Sequence, residues 1–373
     1  MSDVVKTRRP KQKLPAPQST FPFAQLLITW QKQAGRHHLP WQQDRSAYKV
    51  WLSEIMLQQT QVTTVLPYYQ RFLQSFPDVQ SLAAAETEQV LAHWSGLGYY
   101  TRARNLHACA KRVVAEFDGE FPSDPQQLAD LPGIGRSTAA AIAAFAYQKN
   151  AAILDGNVKR VLTRVYAIAG FPGEKAVENQ LWELAESLLP EQDIIAYTQG
   201  LMDLGATLCT RSKPSCQRCP MQVHCQANLS GRTADYPERK PKAVQRVRHA
   251  LLLVLRCDDQ VLLEQRPDTG IWGGLLSLPE WNGMLDQQRY EVTKLLPEVQ
   301  AHWGRLGEIK TAQELPGISH VFSHFRLEAQ ILELDFSHRS PLLQQSTQRW
   351  LSLQQIADAA LAAPIKNLLL SLT

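Results

Sequence analysis

Four of the six cysteines in this 373-residue chain lie within 17 residues, and this crowding constrains the fold more than any other feature. The pattern is Cys-x6-Cys-x2-Cys-x5-Cys, formed by Cys209, Cys216, Cys219 and Cys225. No apolar run approaches the ~18 residues of a membrane span, so we expect a cytoplasmic protein with no membrane partner. Crowded thiols in a reducing compartment favour a metal or iron–sulfur site over disulfides. Spacing alone leaves a 4Fe–4S cluster and a zinc ion both open.

The chain divides into regions that differ in composition and hydrophobic pattern. Residues 1–20 form a basic tail that we expect to be disordered. Residues 21–231, which include the cysteine loop 209–225, are typical of an all-α domain, and residues 232–247 have the composition of a basic linker. Residues 248–373 are typical of an α+β domain, so the fold class is multi-domain.

Hydrophobic periodicity predicts the individual elements. Helices are expected around 22–34, 46–76, 99–117, 136–147, 157–168, 173–189, 194–208 and 353–360. A hairpin is expected from 249–257 and 261–265, with further strands at 318–323 and 325–334.

A glycine-rich string between two of these helices has the composition of an anion-binding turn. It runs Leu-Pro-Gly-Ile-Gly-Arg-Ser-Thr-Ala-Ala-Ala-Ile from Leu131 to Ile142. Gly133 and Gly135 permit a tight turn that aims backbone N–H groups at an anion from a helix N-terminus. The short Pro-Gly-x-Gly core alone is equally typical of a plain turn.

Two carboxylates stand out. Glu54 is the only charged residue from Val50 to Gln70, and its helical neighbours are mostly apolar, so we expect a raised pKa suited to a general acid. The alternative is a solvent-facing glutamate. Asp155 follows an apolar stretch and either caps a helix or acts chemically. We expect its pKa to stay low, because it lies in a polar loop at a helix N-terminus. Cleavage of an N-glycosidic bond requires one acid that protonates the leaving base and one ionised carboxylate that stabilises the sugar cation.

Together these segments resemble the MutY-type adenine DNA glycosylases, within the helix-hairpin-helix superfamily that includes endonuclease III. The resemblance runs from about Phe21 to the C-terminus and also includes residues 51–62 and 96–106. It implies removal of adenine mispaired with 8-oxoguanine or guanine in double-stranded DNA during base excision repair, by a monomer at the nucleoid. It also implies a 4Fe–4S cluster rather than zinc.

The resemblance implies the following roles. Glu54 protonates adenine and activates water, Asp155 stabilises the sugar cation, and Asn157 supports that site. Contacts to DNA fall to the hairpin and to residues near the extruded base, namely Gln58, Gln59, Leu97, Tyr99, Gly133, Gly135 and Ser137. The net charge of +4 is the sum of +4 in residues 1–20, zero in 21–231, +4 in 232–248 and −4 in 249–373. Basic residues within that neutral region predict a DNA-facing surface, namely Arg102, Arg104, Lys111, Arg112, Lys159, Arg160, Arg164, Arg211, Lys213 and Arg218.

Endonuclease III is the alternative enzyme. Glycosylases that also cut the strand carry a lysine nucleophile in the hairpin, where this chain has Ser137. The substitution predicts a monofunctional glycosylase. The cysteine pattern is also compatible with a non-catalytic DNA-binding iron–sulfur protein or with a redox sensor.

The C-terminal region resembles the Nudix (MutT-like) fold. Gly274 and Glu280 keep the first spacing of the Nudix motif, but the Arg-Glu and Glu-Glu pairs that hold magnesium are replaced around residues 288–293. We therefore expect no magnesium and no nucleotide hydrolysis. The resemblance implies recognition of 8-oxoguanine by Phe322, Ser323 and His324, although this segment alone is typical of a strand end.

Overall fold

A computed structural model of the chain describes residues 21–240, 245–281, 290–322, 324–338 and 347–372. The tail predicted to be disordered lies outside these residues. The described chain forms two compact units. The cysteine-loop unit comprises residues 21–47, 123–126 and 136–240, and the sheet-bearing unit comprises 48–122, 127–135 and the described residues from 245 onward. None of the helices in these ranges combines the length and hydrophobicity of a membrane span.

The cysteine-loop unit is helical. Its helices are α1 (Phe23–Ala34), α2 (Pro40–Gln43), α9 (Arg136–Tyr147), α10 (Gly156–Val165), α11 (Lys175–Ser187), α12 (Ile194–Asp203) and α13 (Gln226–Leu229). Helices α1, α9 and α10 pack on α12. Helix α9 matches its predicted range and is buried from Ala139 to Phe145, because its alanines allow close packing on every side. The predicted helix 194–208 ends at Asp203 and continues as a π-helical turn, Leu204–Leu208.

The N-terminal part of the sheet-bearing unit is also helical. Its helices are α3 (Ala47–Leu57), α4 (Val62–Ser75), α5 (Val79–Ala84), α6 (Thr87–Trp94) and α7 (Thr101–Phe117), and α8 (Pro125–Ala129) leads into the hairpin. Helices α5 and α6 pack against α7. Large aromatic residues fill the core, with Trp51, Phe72 and Trp94 fully buried.

The prediction of one helix over 46–76 was wrong. The chain leaves helical geometry between α3 and α4, where Gln59 has a φ of 58°. The apolar pattern continues through this break because both helices bury a face in the same core. The break places Gln59 at an exposed corner.

A mixed sheet completes the sheet-bearing unit. Its strands are β1 (Arg246–Cys257), β2 (Gln260–Gln265), β3 (Leu276–Ser277), β4 (Ile309–Val321), β5 (Phe325–Phe336) and β6 (Gln348–Ser352), in the order β3-β2-β1-β5-β4 with β6 beside β2. The predicted β1–β2 hairpin is confirmed, and β1 pairs in parallel with β5 along twelve residues. Helix α14 (Val292–Trp303) adds Val292 and Val299 to the core.

Two predictions in this region were inaccurate. Strand β4 begins nine residues before its predicted start at 318, because as an exposed strand it carries few buried apolar residues. The predicted helix 353–360 is a 3₁₀ turn, Leu353–Ala357, and the α-helix α15 follows at Ala363–Leu370. Pro364 in the first turn of α15 provides a helix start that the periodicity did not reveal.

Candidate functional site

The predicted site residues fall into two groups, one in each unit. The cysteine-loop unit holds Ser137, Asp155, Asn157, Cys209, Cys216, Cys219 and Cys225. The sheet-bearing unit holds Glu54, Gln58, Gln59, Leu97, Tyr99, Gly133, Gly135, Phe322 and His324. Ser323 lies outside the described residues.

Glu54 occupies an apolar stretch of α3. The residue is half-buried, while its neighbours Trp51, Leu52, Ser53 and Ile55 are at most 2% exposed. The Glu54 carboxyl therefore lies in an otherwise apolar and buried stretch of the helix.

Two turns of this unit present the residues predicted to contact DNA bases. We call residues 58–60 and 97–99 the paired turns. Gln59 and Tyr99 are exposed at their tips, with Tyr99 at 56%, and both adopt left-handed φ values, 58° and 50°. Leu97, in the second turn, is 6% exposed, and its contact with DNA stays a prediction.

The paired turns are joined by Arg102, whose role the sequence did not reveal. We expected Arg102 on a DNA-facing surface, but it is buried and hydrogen-bonded to backbone carbonyls of both turns. Arg164 is likewise buried, at 2% exposed. Arg112 pairs with Glu116. The two buried arginines, Arg102 and Arg164, do not fit the predicted basic surface, whereas the side chain of Arg112 is 38% exposed.

The hairpin exposes its glycines. Gly133 has a φ of 76°, and a Cβ there would lie 2.8 Å from the Cβ of Asn105, so both conformation and space require glycine. Gly135 is exposed at the start of α9. The Ser137 hydroxyl accepts a hydrogen bond from the Leu154 N–H at 2.9 Å. This bond fixes the backbone that leads to Asp155.

Asp155 caps α10 and belongs to a polar network. Its Oδ1 accepts from the Val158 N–H at 2.8 Å, and its Oδ2 accepts from Asn157 Nδ2 at 3.2 Å. Asn157 Oδ1 in turn accepts from Arg160 Nη2 at 2.7 Å. Arg160 also donates to the Cys209 carbonyl at 2.7 Å. A continuous chain of hydrogen bonds therefore joins the carboxylate to the cysteine loop.

Our expectation of a low pKa for Asp155 was wrong. Burial raises the pKa of this carboxyl, and the hydrogen bonds from Val158 and Asn157 and the charge of Arg160 oppose the rise without cancelling it. The sequence identified the donors but not the degree of enclosure. A nearby sugar cation would lower this pKa, since an opposite charge favours the carboxylate.

A close backbone approach supports the network. The π-helical turn brings Gly205 against Asn157, where a Cβ would lie 2.5 Å from the Asn157 Cβ. The Gly205 carbonyl accepts from Arg160 Nη2 at 2.8 Å. Only glycine leaves room for this contact, and single π-turns of this kind are frequent at functional sites.

The four clustered cysteines form no disulfides and line one cavity. Its walls include Val161, Val165, Leu204 and Leu208, so the sulfurs lie in apolar surroundings. In the described part of the chain, no three Cys, His, Asp or Glu side chains are arranged to hold a metal ion. Four cysteine sulfurs around one apolar cavity are a donor set that iron–sulfur clusters and zinc ions both accept.

The buried side chain of Arg164 is hydrogen-bonded to the cysteine loop. Its Nη1 lies 3.3 Å from the Cys209 Sγ and donates to the Thr210 carbonyl at 2.8 Å. Its Nε donates to the Tyr236 carbonyl at 2.9 Å. N–H donors to cysteine sulfur are typical of iron–sulfur sites, where they tune the cluster.

Within the sheet-bearing unit, Tyr99 and Phe322 line one cavity of about 390 Å³. Its walls also include His320 and Trp272, of which the sequence analysis missed Trp272, and we call it the aromatic cavity. The Phe322 ring lies 4.7 Å from His320, 5.7 Å from Trp272 and 4.9 Å from Phe325. Burial lowers the pKa of His320, which favours its neutral form. His324, between strands β4 and β5, is exposed.

Gly274 and Glu280, the two residues that keep the Nudix spacing, have structural contacts or conformations of their own. Glu280 pairs with Arg266 at 3.2 Å, and Gly274 adopts a φ of 73°. Of residues 288–293, where the carboxylate pairs of the motif would fall, Gln288 and Arg289 lie outside the described chain, whereas Val292 begins α14.

Comparison with known proteins agrees with these features. Residues 52–187 match the family model of the HhH-GPD superfamily base excision DNA repair proteins, and residues 250–371 match that of the NUDIX domain. A solved structure of a thermostable thymine-DNA glycosylase aligns with a TM-score of 0.50 and 28% identity, covering 56% of this chain and 95% of that one. The class is therefore a helix-hairpin-helix DNA repair glycosylase with a Nudix-like domain.

Curated relatives narrow the class. The adenine DNA glycosylase of Buchnera aphidicola subsp. Schizaphis graminum (strain Sg) is 35% identical over 348 residues, which cover 93% of this chain and 97% of the relative. The Homo sapiens adenine DNA glycosylase is 34% identical over 402 residues, covering 92% and 73%. The chain belongs to the adenine DNA glycosylase family. It is an enzyme of base excision repair that hydrolyses N-glycosyl bonds in DNA.

Proposed function

We propose that this chain removes adenine mispaired with 8-oxoguanine or guanine in duplex DNA and leaves the strand intact. The observation that carries the proposal is the aromatic cavity, because the exposed Tyr99 and the Phe322 segment both line it. The sequence assigned these residues to DNA contact from separate motifs. An exposed tyrosine beside an aromatic cavity suits a site where one base is extruded from the duplex and the opposite base is recognised.

In the proposed reaction, Glu54 donates its proton to N7 of the extruded adenine. The C1′–N9 bond then breaks, and its electron pair leaves with the base. The Asp155 carboxylate stabilises the positive charge that develops at C1′. Glu54, now ionised, accepts a proton from the water that attacks C1′. Asn157 and the Val158 N–H hold Asp155 in position.

Ser137 supports a purely hydrolytic outcome. A hydroxyl cannot form the Schiff base on which strand-cutting glycosylases depend. Its oxygen also accepts the Leu154 N–H, which gives it a role in placing the Asp155 loop. An endonuclease III-like lyase is accordingly the less favoured interpretation.

A panel of duplexes tests the mispair preference. Adenine placed opposite 8-oxoguanine, guanine, cytosine or thymine should be released rapidly only in the first two. Replacing Phe322 by alanine should slow release opposite 8-oxoguanine about tenfold, because base–aromatic stacking contributes roughly 1–3 kcal/mol. Release opposite guanine should be slowed less, because we assign the reading of the oxidised base to the Phe322 segment. Leu370→Ala, which truncates another apolar side chain of this unit, is the control. Equal losses on both duplexes would exclude Phe322 from recognising the oxidised base.

The raised pKa of Asp155 predicts the acid side of the pH profile. The reaction requires the carboxylate, so activity falls as pH drops through the pKa of this group, which lies above the ordinary aspartate range. In Asn157→Ala the carboxylate loses a donor, and the acid limb should move up by about one pH unit. Single-turnover rates against pH measure the shift. Asn150→Ala, which removes an amide bonded to the Pro190 carbonyl, should leave the limb unmoved. An acid limb common to all three proteins would contradict the role of Asp155.

We further propose that Cys209, Cys216, Cys219 and Cys225 hold a 4Fe–4S cluster. When bound, the cluster would tie the loop 209–225 together through four iron–thiolate bonds. Arg164 and Arg160 anchor the same loop through the Cys209 sulfur and carbonyl.

Removal of one ligand tests this site. Cys216→Ser should lower the iron and sulfide content and the visible absorbance of the purified protein, with loss of duplex binding. Cys109→Ala alters a buried cysteine of α7 and should retain all three. Stoichiometric zinc in the wild-type protein, without iron, would contradict the proposal.

A further inference from the structure

Arg102 lies beneath the paired turns, near the N-terminus of α7. The residue is 9% exposed. Its Nη1 donates to three carbonyls at the end of α3, those of Ile55, Met56 and Gln58, at 3.0, 2.8 and 2.7 Å. The helix that carries Glu54 therefore has its C-terminal carbonyls bound to this cation. A positive charge at a helix C-terminus is electrostatically favourable.

The other guanidinium nitrogen reaches the second turn. Nη2 donates to the carbonyls of Leu97 and Gly98 at 3.3 and 3.2 Å and to Thr60 Oγ1 at 3.1 Å. The guanidinium carbon lies 5.6 Å from the centre of the Tyr99 ring. Burial lowers the pKa of Arg102 to about 10, which leaves it charged at neutral pH. One buried cation thus connects both turns.

The bonded carbonyls are those that precede the strained residues. Gln59 and Tyr99 are non-glycine residues with φ values of 58° and 50°, a conformation that costs free energy. Arg102 binds the Gln58 carbonyl and the Gly98 carbonyl, which belong to the peptide groups entering these residues. Such strain persists only where surrounding contacts determine the backbone.

We propose that Arg102 is a positioning residue that holds the paired turns as one rigid element, so that Gln59 and Tyr99 enter the duplex together and extrude the target base. The inference rests on the proposed function. Lysine cannot replace arginine here, because an ammonium has three donors around one point whereas the guanidinium is a planar fork. In Arg102→Lys the turns would have to become ordered on DNA, at the expense of extrusion.

Fluorescence separates extrusion from binding and from chemistry. The probe is a duplex with 2-aminopurine in place of adenine opposite guanine, whose emission rises when the base leaves the stack. Arg102→Lys should reduce the rise and slow base release about tenfold or more, as expected when several charge-assisted hydrogen bonds are lost. The duplex Kd and the acid limb of the pH profile should stay at wild-type values. Arg71→Lys is the matched control, since Arg71 also donates to a carbonyl and stacks on a tyrosine ring, outside the paired turns.

The outcomes are distinct. Wild-type extrusion and rate in Arg102→Lys would overturn the inference, as would losses shared equally by Arg71→Lys. If Arg102→Lys does not fold, Thr60→Val tests the inference instead. This variant removes the hydroxyl that accepts a hydrogen bond from Arg102, and it should slow extrusion about threefold, near the effect of one hydrogen bond. Unchanged extrusion in Thr60→Val would then overturn it. A wild-type protein that extrudes 2-aminopurine but releases no adenine would reject the proposed function and leave the positioning role supported.

Discussion

Glu54→Gln should bind mispaired duplex DNA normally and release adenine at least about 10³-fold more slowly than the wild type, since positioned general acids contribute ~10²–10⁴-fold and Glu54 also activates water. Glutamine keeps the size and polarity of the side chain, so α3 should pack unchanged. Its amide cannot deliver a proton to N7 at neutral pH. Single-turnover release of adenine and duplex affinity are the two measurements.

The control for Glu54→Gln is Glu120→Gln, which neutralises an exposed carboxylate of the same unit. It should retain wild-type rates. Normal adenine release by Glu54→Gln would remove Glu54 from the mechanism. Weakened binding with an unchanged rate of release would assign it to DNA contact instead.

Asp155→Asn should retain the fold and lose about 10²–10³ in rate, the range associated with one electrostatic contact to developing charge. Asparagine is as good an N-cap as aspartate, so the start of α10 should persist. What disappears is the negative charge opposite the sugar cation. The comparison is the single-turnover rate at a pH where Asp155 is ionised in the wild type.

Asp78→Asn provides the matched control, because Asp78 caps α5 by accepting the Ser81 N–H at 2.8 Å. Both variants exchange a capping aspartate for asparagine, and only Asp155→Asn should slow the reaction. If both lose activity together with thermal stability, capping rather than charge explains the effect. Full activity in Asp155→Asn would require another source of cation stabilisation.

Local sequence signals predicted the bounds of several helices closely. Helix α9 was placed at its observed bounds because glycines precede it and a run of alanines defines it. The β1–β2 hairpin followed from two apolar runs around an aspartate turn. The break between α3 and α4 could not be predicted, since Arg102, some forty residues downstream, binds the carbonyls at that break.

The sequence predicted which residue types form the candidate site better than it predicted the burial and the contacts of each side chain. A basic residue in the sequence is equally suited to phosphate and to carbonyl oxygen, and Arg102 and Arg164 bind carbonyls. The raised pKa of Asp155 depends on enclosure by the fold, which a polar local sequence does not reveal. Trp272 was missed because its contacts with His320 and Phe322 join segments that are far apart in the sequence.

Hydrolytic removal of adenine without strand cleavage is the central claim, and one assay tests it directly. The protein is incubated with a duplex that holds adenine opposite 8-oxoguanine, and free adenine is counted beside strand breaks before and after alkali. We expect one alkali-labile site for each adenine released, no breaks before alkali, and no covalent complex trapped by borohydride. Strand breaks that appear with adenine before alkali, a strong borohydride adduct, or no free adenine at all would contradict the account.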